Sequence, residues 1–209
     1  MRLLVATRSA HKMVEIRQIL GDVPGLELLD LDHAGVTPSP AEDDLEPYDT
    51  FEENARSKAE YFHRLTGLPT VADDSGLEVD ALGGEPGVRS KRFAPDEGLE
   101  GEARDAANNR YVLRLLRDVP PEKRTARYAC VACFVAEGEE PRAFRGEAAG
   151  VVVAEPRGSG GFGYDPHVLD PELGCTYAEM AADEKNRRSH RGEAFRRLRE
   201  ALLTAPRSS

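Results

Sequence analysis

No apolar run in this 209-residue chain approaches the roughly 20 residues of a membrane-spanning helix, which argues against a helical membrane protein. The start, Met1-Arg2-Leu3-Leu4-Val5-Ala6-Thr7, turns polar too quickly for a signal peptide, so a cytoplasmic location is expected. Basic residues are few for the acids present: 28 Lys and Arg against 38 Asp and Glu, a formal net charge of −10. A general nucleic-acid or membrane-surface binder needs a basic face, so neither partner class is expected. Cysteine is scarce too, and an odd total of three suits a reducing compartment. Cys130 and Cys133 have C-x-x-C spacing, but they lie in the β-prone run RYACVACFVA, where residues three apart point to opposite faces. Zinc would need two further ligands, and only Cys175 and scattered histidines remain, so buried structural thiols are expected. No internal repeat or low-complexity segment interrupts the chain, and its length fits one domain with a sizeable core.

Helical and strand patterns alternate along the sequence. Arg2–Ala6 is β-prone, and Met13, Ile16, Ile19 and Leu20 recur at helical spacing over Lys12–Leu20. Leu26–Leu31 reads as a second strand, and 35–50, with three prolines and many acids, as a surface loop. Thr50 and Glu53 have capping-box spacing at the start of a helix reaching about Leu65. Short strands at 70–72 and 77–80 flank Asp73-Asp74-Ser75-Gly76. Residues 94–104 read as loop, Asp105–Arg117 as helix, and Ala126–Ala136 and Ala143–Ala154 as two long strands. Thr176 with Glu179 suits the cap of a short helix, and Ser189 the cap of a last helix with an apolar stripe of Phe195, Leu198 and Leu202. The mixture predicts an α/β or α+β fold with a mixed sheet.

Four segments carry candidate chemistry. Asp73-Asp74-Ser75-Gly76 places two carboxylates side by side at the end of an apolar strand. Two readings fit: a solvated turn, or an acidic pair compensated by a divalent cation, which for magnesium commonly shares its coordination with a substrate phosphate. The loop Thr7-Arg8-Ser9-Ala10-His11 feeds a helix N-terminus, where free N–H groups favour an anion. Lys12 stands against the helix dipole there, either as a surface lysine or because an anion lies between. Gly158-Ser-Gly160-Gly-Phe-Gly163 has the spacing of a dinucleotide fingerprint but is followed by Tyr164-Asp165-Pro166 rather than a helix, so that reading is rejected. Its glycines still permit close approach of a flat ligand, Phe162 and Tyr164 offer ring faces for a base, and Asp165 offers an acceptor. Lys185, His190 and Arg191 form a terminal basic cluster, either a solvated helix start or an anion site. Together the four suggest a nucleoside triphosphate pocket.

The segments LLVATRSAHKMVEIRQIL, TFEENARSKA, VADDSGLEVDALGGEPGVRS, GSGGFGYDP and EKNRRSHRGEAF, in this order and across nearly the whole chain, resemble the inosine/xanthosine triphosphate pyrophosphatase, or Ham1-like, family. The resemblance implies an α/β fold: an elongated mixed β-sheet with flanking helices, forming two lobes around a central cleft. It implies a single domain over 1–205, a frayed tail at 206–209, and a homodimer. The implied reaction is magnesium-dependent hydrolysis of ITP, dITP and XTP to the monophosphate and pyrophosphate, a house-cleaning of the nucleotide pool. Thr7, Arg8, Ser9, Ala10, His11 and Lys12 then correspond to a phosphate-binding loop. Asp74 corresponds to the metal ligand and proton acceptor, Ser75 to a substrate contact, Phe162, Gly163, Tyr164 and Asp165 to the base-binding segment, and Lys185, His190 and Arg191 to further substrate contacts. Glu46 is placed as a second metal ligand, with Glu42 as the fallback. Ser9 stands where the family usually has asparagine, losing the amide's paired donor and acceptor. Asp74 or Asp73 is expected to take the proton from water, with the neighbouring carboxylate raising the pKa of the base. Other readings are a pyrophosphatase for modified pyrimidine nucleotides and a nucleotide-binding regulator without catalysis.

Overall fold

The computed structural model describes residues 1–95 and 98–204; the expected frayed tail at 206–209 lies outside the described residues. Six strands form one sheet in the order β2-β1-β3-β4-β5-β6. They are β1 (Arg2–Val5), β2 (Glu27–Leu29), β3 (Thr70–Val79), β4 (Thr125–Val135), β5 (Arg142–Val152) and β6 (Val168–Leu169). β1 runs parallel to β2 and β3, whereas β5 and β6 are antiparallel, so the sheet is mixed as the sequence predicts. The chain divides into two compact units, one of residues 1–74, 130–146 and 190 onward, the other of 75–129 and 147–189.

In the first unit, β1 leads to α1 (Ala10–Leu20) and then to β2. Parallel neighbours need such a crossover, and the register pairs Leu3 with Leu28 and Val5 with Val71. Met13, Ile16 and Leu20 of α1 bury against Leu3, Val5, Val71, Cys130 and Phe134. Phe195 and Leu198 of α5 (His190–Thr204) complete that core, and α1 packs against α5. Each fully buried Leu, Ile or Phe side chain is worth roughly 2 kcal/mol here. α2 (Phe51–Thr66) begins as expected, with Thr50 accepting the Glu53 N–H at 3.2 Å and Gly67 closing it at a φ of 69°. The 35–50 segment contains a 3-10 turn, Pro40–Asp44, capped by Ser39 and Glu42.

The second unit holds α3 (Gly101–Leu115) and α4 (Ala182–Arg188). Its core joins Leu77, Val79, Val112, Leu116, Tyr128, Val152, Tyr164, Val168 and Tyr177. Cys130 and Cys133, which belong to the first unit, are both buried and unbridged in β4, as expected for thiols that diverge along a strand; burial pushes the Cys133 thiol up to about 11.

Three sequence expectations are corrected. Asp73-Asp74-Ser75-Gly76 is no turn between two strands but the middle of one ten-residue strand. Helix α3 starts at Gly101 rather than Asp105, because its first turn, with Glu102 and Ala103 exposed and Arg104 half-buried, looks like loop when judged by polarity alone. Thr176 and Glu179 do bond, the Thr176 N–H reaching Glu179 Oε2 at 2.7 Å, but they close a turn, and the helix follows at Ala182.

Candidate active site

In the first unit, Ser9 is the N-cap of α1, and its hydroxyl accepts the Lys12 N–H at 3.4 Å. Thr7 Oγ1 in turn accepts the Ser9 N–H at 3.1 Å, shaping the loop between β1 and α1. Ser9 therefore supplies the capping oxygen that an asparagine would. Ala10 and His11, both exposed, occupy the first turn beside the N–H groups that a helix start leaves for other acceptors. The Arg8 side chain turns to the 35–50 segment: it forks onto Glu42 at 2.8 and 3.0 Å, reaches the Val36 carbonyl at 3.0 Å and pairs with Asp32 at 3.2 Å. Those partners hold the Arg8 side chain on the 35–50 segment.

The anion facing Lys12 is a protein group. Lys12 Nζ lies 3.0 Å from Asp73 Oδ2, and Arg191 reaches the same oxygen from Nε and Nη2 at 3.3 Å. Arg191 also pairs with Glu15 at 2.6 Å and is itself buried. Burial pushes the Asp73 carboxyl up, but Lys12, Arg191 and Lys58 overcome it and hold it well below the ordinary carboxylate range. A carboxylate so stabilised favours its ionised form, which makes Asp73 the weaker proton acceptor of the two aspartates considered. Asp74 points the other way along the strand and accepts from Asn54 Nδ2 at 3.1 Å. Burial pushes Asp74 up to about 6, and Glu46 adds to the rise while Lys58 and Lys12 oppose it. The raised pKa thus comes from desolvation and Glu46 rather than from the adjacent aspartate.

Lys58 donates to Glu46 and, at 2.8 Å, to the Asp73 carbonyl, tying the second carboxylate to the strand. Asn54, one helical turn earlier on α2, also holds Tyr48 by its N–H at 2.9 Å and its carbonyl at 3.1 Å. Of the two glutamates considered for a metal, Glu42 is engaged by Arg8 and Glu46 acts electrostatically on Asp74. Among the described residues no group of three or more His, Cys, Asp or Glu side chains could hold a metal ion. One or two carboxylates with hard oxygen donors is nevertheless the protein share that magnesium commonly takes, phosphate and water supplying the rest. His190 is buried at the first position of α5.

In the second unit, the glycine-rich segment folds around Asp165. Its Oδ1 accepts from Tyr128 Oη at 3.0 Å, and its Oδ2 accepts from Lys185 Nζ at 2.7 Å and from the Phe162 N–H at 3.0 Å. Burial, and then Asp165 itself, push the Tyr128 hydroxyl well above its ordinary range, so it stays a donor. Lys185 also stands 5.0 Å over the Phe162 ring, a cation–π contact. Gly161 is required by this arrangement: its φ is +71°, and a Cβ there would lie 2.1 Å from Asp165 Oδ2. Tyr164 is anchored by its hydroxyl to the Ser90 carbonyl at 2.8 Å, which leaves its ring in the core rather than offered to a base. Ser75, half-buried, follows Asp74 along β3.

The structure thus brings Thr7–Lys12, Asp73 and Arg191 into one set and Phe162–Asp165 with Lys185 into another. The terminal basic cluster is divided: Lys185 belongs with the second unit, His190 and Arg191 with the first. Asn54, Lys58, Glu15, Tyr128, Asp105 and Asn109 escaped the sequence reading. The spacings of Asn54 with Lys58 and of Asp105 with Asn109, each four apart on one helix face, were usable signals; Glu15 and Tyr128 meet their partners only through tertiary contacts.

A model of the Ham1 family matches residues 3–201. A dITP/XTP pyrophosphatase of Geobacter sulfurreducens is 45% identical over 201 residues, covering 96% of each chain. A dITP/XTP pyrophosphatase of Nocardia farcinica is 44% identical over 210 residues, with 96% of this chain and 94% of that one covered. Among solved structures, a HAM1 protein from Coxiella burnetii superposes with a TM-score of 0.84 at 33% identity, covering 98% of this chain and all of the other.

Proposed function

This chain belongs to the Ham1 family, and on that premise we propose that it is a nucleoside triphosphate pyrophosphohydrolase that clears aberrant purine nucleotides. Its substrates are dITP, ITP and XTP, and its products the monophosphate and pyrophosphate. The observation that carries the chemistry is Asp74, a buried carboxylate pushed up to about 6 and adjoined electrostatically by Glu46. A base with that pKa is largely ionised at pH 7 yet basic enough to draw a proton from water.

In this reading Asp74 accepts the proton of the water that attacks the α-phosphorus. Asp74 and Glu46 would hold magnesium, whose oxygen preference they match. Bound there, magnesium supplies charge neutralisation at the phosphate oxygens. Lys12, oriented by Asp73, and the N–H groups at the start of α1 bind and stabilise the phosphates, in the manner of fixed electrostatic groups in phosphoryl transfer. Arg191, paired with Asp73 and Glu15, contributes by holding Asp73 in place. Phe162 provides the stacking face for the base, and Asp165 with Lys185 provides a hydrogen-bonding edge. A pocket built to bond a 6-oxo purine leaves polar groups unpaired when adenine enters, which disfavours ATP.

No described helix is long and apolar enough to cross a membrane. A cytoplasmic homodimer is part of the same proposal, and light scattering of the purified protein tests its dimeric state.

The deciding experiment measures pyrophosphate release from ITP, dITP, XTP, dUTP, dTTP, GTP and ATP. Preference for the first three supports the reading. Preference for the pyrimidines, or no release from any nucleotide, would sink it.

A further inference from the structure

Helix α3 holds the glycine-rich segment by hydrogen bonds to both polar groups of Gly163. Asp105 Oδ2 accepts the Gly163 N–H at 2.8 Å, and Asn109 Nδ2 donates to the Gly163 carbonyl at 2.8 Å. The two side chains are four residues apart and so share one face of α3. The Gly163 N–H belongs to the peptide shared with Phe162, and its carbonyl to the peptide shared with Tyr164. Fixing both groups fixes the two peptide planes that aim Phe162 and lead to Asp165. Gly163 has a φ of +64° and nothing near its missing Cβ, so conformation, not crowding, selects glycine there.

Tyr164 packs into the core that Val112 of α3 shares, but Phe162 and Gly163 border open space on this side. A cavity of about 530 Å³ lies between α3 and the segment, lined among others by Asp105, Asn109, Arg110, Gly160, Phe162 and Gly163. On this side the hydrogen bonds to Gly163 are therefore what orient the Phe162–Gly163 stretch. α3 is itself anchored next door, where Asn108 accepts from the Ala94 N–H at 2.9 Å and donates to the Ser90 and Lys91 carbonyls at 3.2 and 3.1 Å. Asn109 is buried, and its Nδ2 also bonds the Asp105 carbonyl at 3.0 Å, which limits its rotation.

We propose that Asp105 and Asn109 are positioning residues that set base selectivity, orienting Phe162 and Asp165 toward a 6-oxo purine through the two polar groups of Gly163. The proposal rests on Phe162–Asp165 being the base-contacting segment.

The test compares wild type with Asn109→Leu, Asp105→Ala and Asp105→Asn. Steady-state pyrophosphate release from ITP and ATP is measured together with hydrogen exchange over 158–165. Loss of the part-buried hydrogen bond to Gly163 predicts that Asn109→Leu and Asp105→Ala raise KM for ITP about tenfold and lower the ITP-to-ATP ratio of kcat/KM by a similar factor, with a much smaller change in kcat. Exchange of the segment's amides should accelerate in the same variants. Asp105→Asn, which keeps an acceptor oxygen, should recover most of the selectivity lost in Asp105→Ala. Folded variants with wild-type KM and selectivity, or with unchanged exchange, overturn the proposal. Failure of the wild type to release pyrophosphate from ITP would instead overturn the proposed function, and the exchange data would still judge the clamp.

Discussion

Asp73 and Asp74 are consecutive in β3, yet their carboxylates serve opposite faces of the strand. Asp73 meets Lys12 of α1 and Arg191 of α5, while Asp74 meets Asn54 of α2. Strand geometry alone turns successive side chains apart, so one dipeptide supplies a stabilised anion on one side and a protonatable carboxylate on the other. Their substitutions should therefore have different consequences.

Asp74→Asn keeps the Asn54 contact within reach and removes the base. Pyrophosphate release from ITP should fall at least about a hundredfold, the usual contribution of a general base, with the circular dichroism spectrum unchanged. Near-normal turnover in this variant would remove Asp74 from the mechanism.

Asp73→Asn should act first on stability. It takes away the carboxylate that the largely buried Lys12 and the buried Arg191 share, leaving Arg191 its pair with Glu15, and breaking such a network costs on the order of 3 kcal/mol. A urea denaturation midpoint equal to that of wild type would contradict the arrangement. The Asp73 pKa is depressed, so its stabilisation is present above the ordinary aspartate range and fades as pH falls through the lowered value.

Asp74 carries the opposite sign. Its folded pKa, about 6, exceeds the ordinary 3.8. Metal-free protein is favoured by the protonated group at low pH and loses that advantage as pH rises from the lower value to the higher. In excess chelator at pH 8, Asp74→Asn should exceed wild type in stability by on the order of 2 kcal/mol, and the gap should close toward pH 4. A gap of constant size across that range would show that burial does not tax this carboxylate.

Activity should depend on magnesium and on pH together. The enzyme should be inert in excess chelator and recover when magnesium is restored. At limiting magnesium, kcat/KM should climb with pH to a break near the Asp74 pKa, about 6. Saturating magnesium should move the break lower, since a nearby cation favours the ionised carboxylate. A break that ignores magnesium would separate Asp74 from the metal.

Gly161→Ala should damage base recognition. The added methyl would meet Asp165 Oδ2 at 2.1 Å, at a φ of +71° that side chains avoid. KM for ITP should rise about tenfold or more, while inorganic pyrophosphate, competing for the phosphate-binding groups alone, should inhibit as it does in wild type. A parallel loss of inhibition would mean that the substitution acts through general unfolding.

The alternation of apolar positions placed α1, α2, β4, β5 and α5 within a few residues, because periodicity is a local property of the chain. The Thr50 end of α2 was legible for the same reason, as were the glycine-rich segment and the acidic dipeptide as places where chemistry gathers. Tertiary structure decided what those residues do. It drew β3 straight through Asp-Asp-Ser-Gly, overriding turn-forming residue types by supplying each buried carboxylate with its own partners. It matched Lys12 and Arg191 to Asp73 across 61 and 118 positions of sequence, turned Arg8 toward Glu42, and gave Lys185 to Asp165. Residue type and spacing determine which groups can bear charge or bond. Whether a carboxylate becomes a fixed anion or a base depends on its burial and on the sign of its neighbours, and those are set only when distant segments meet.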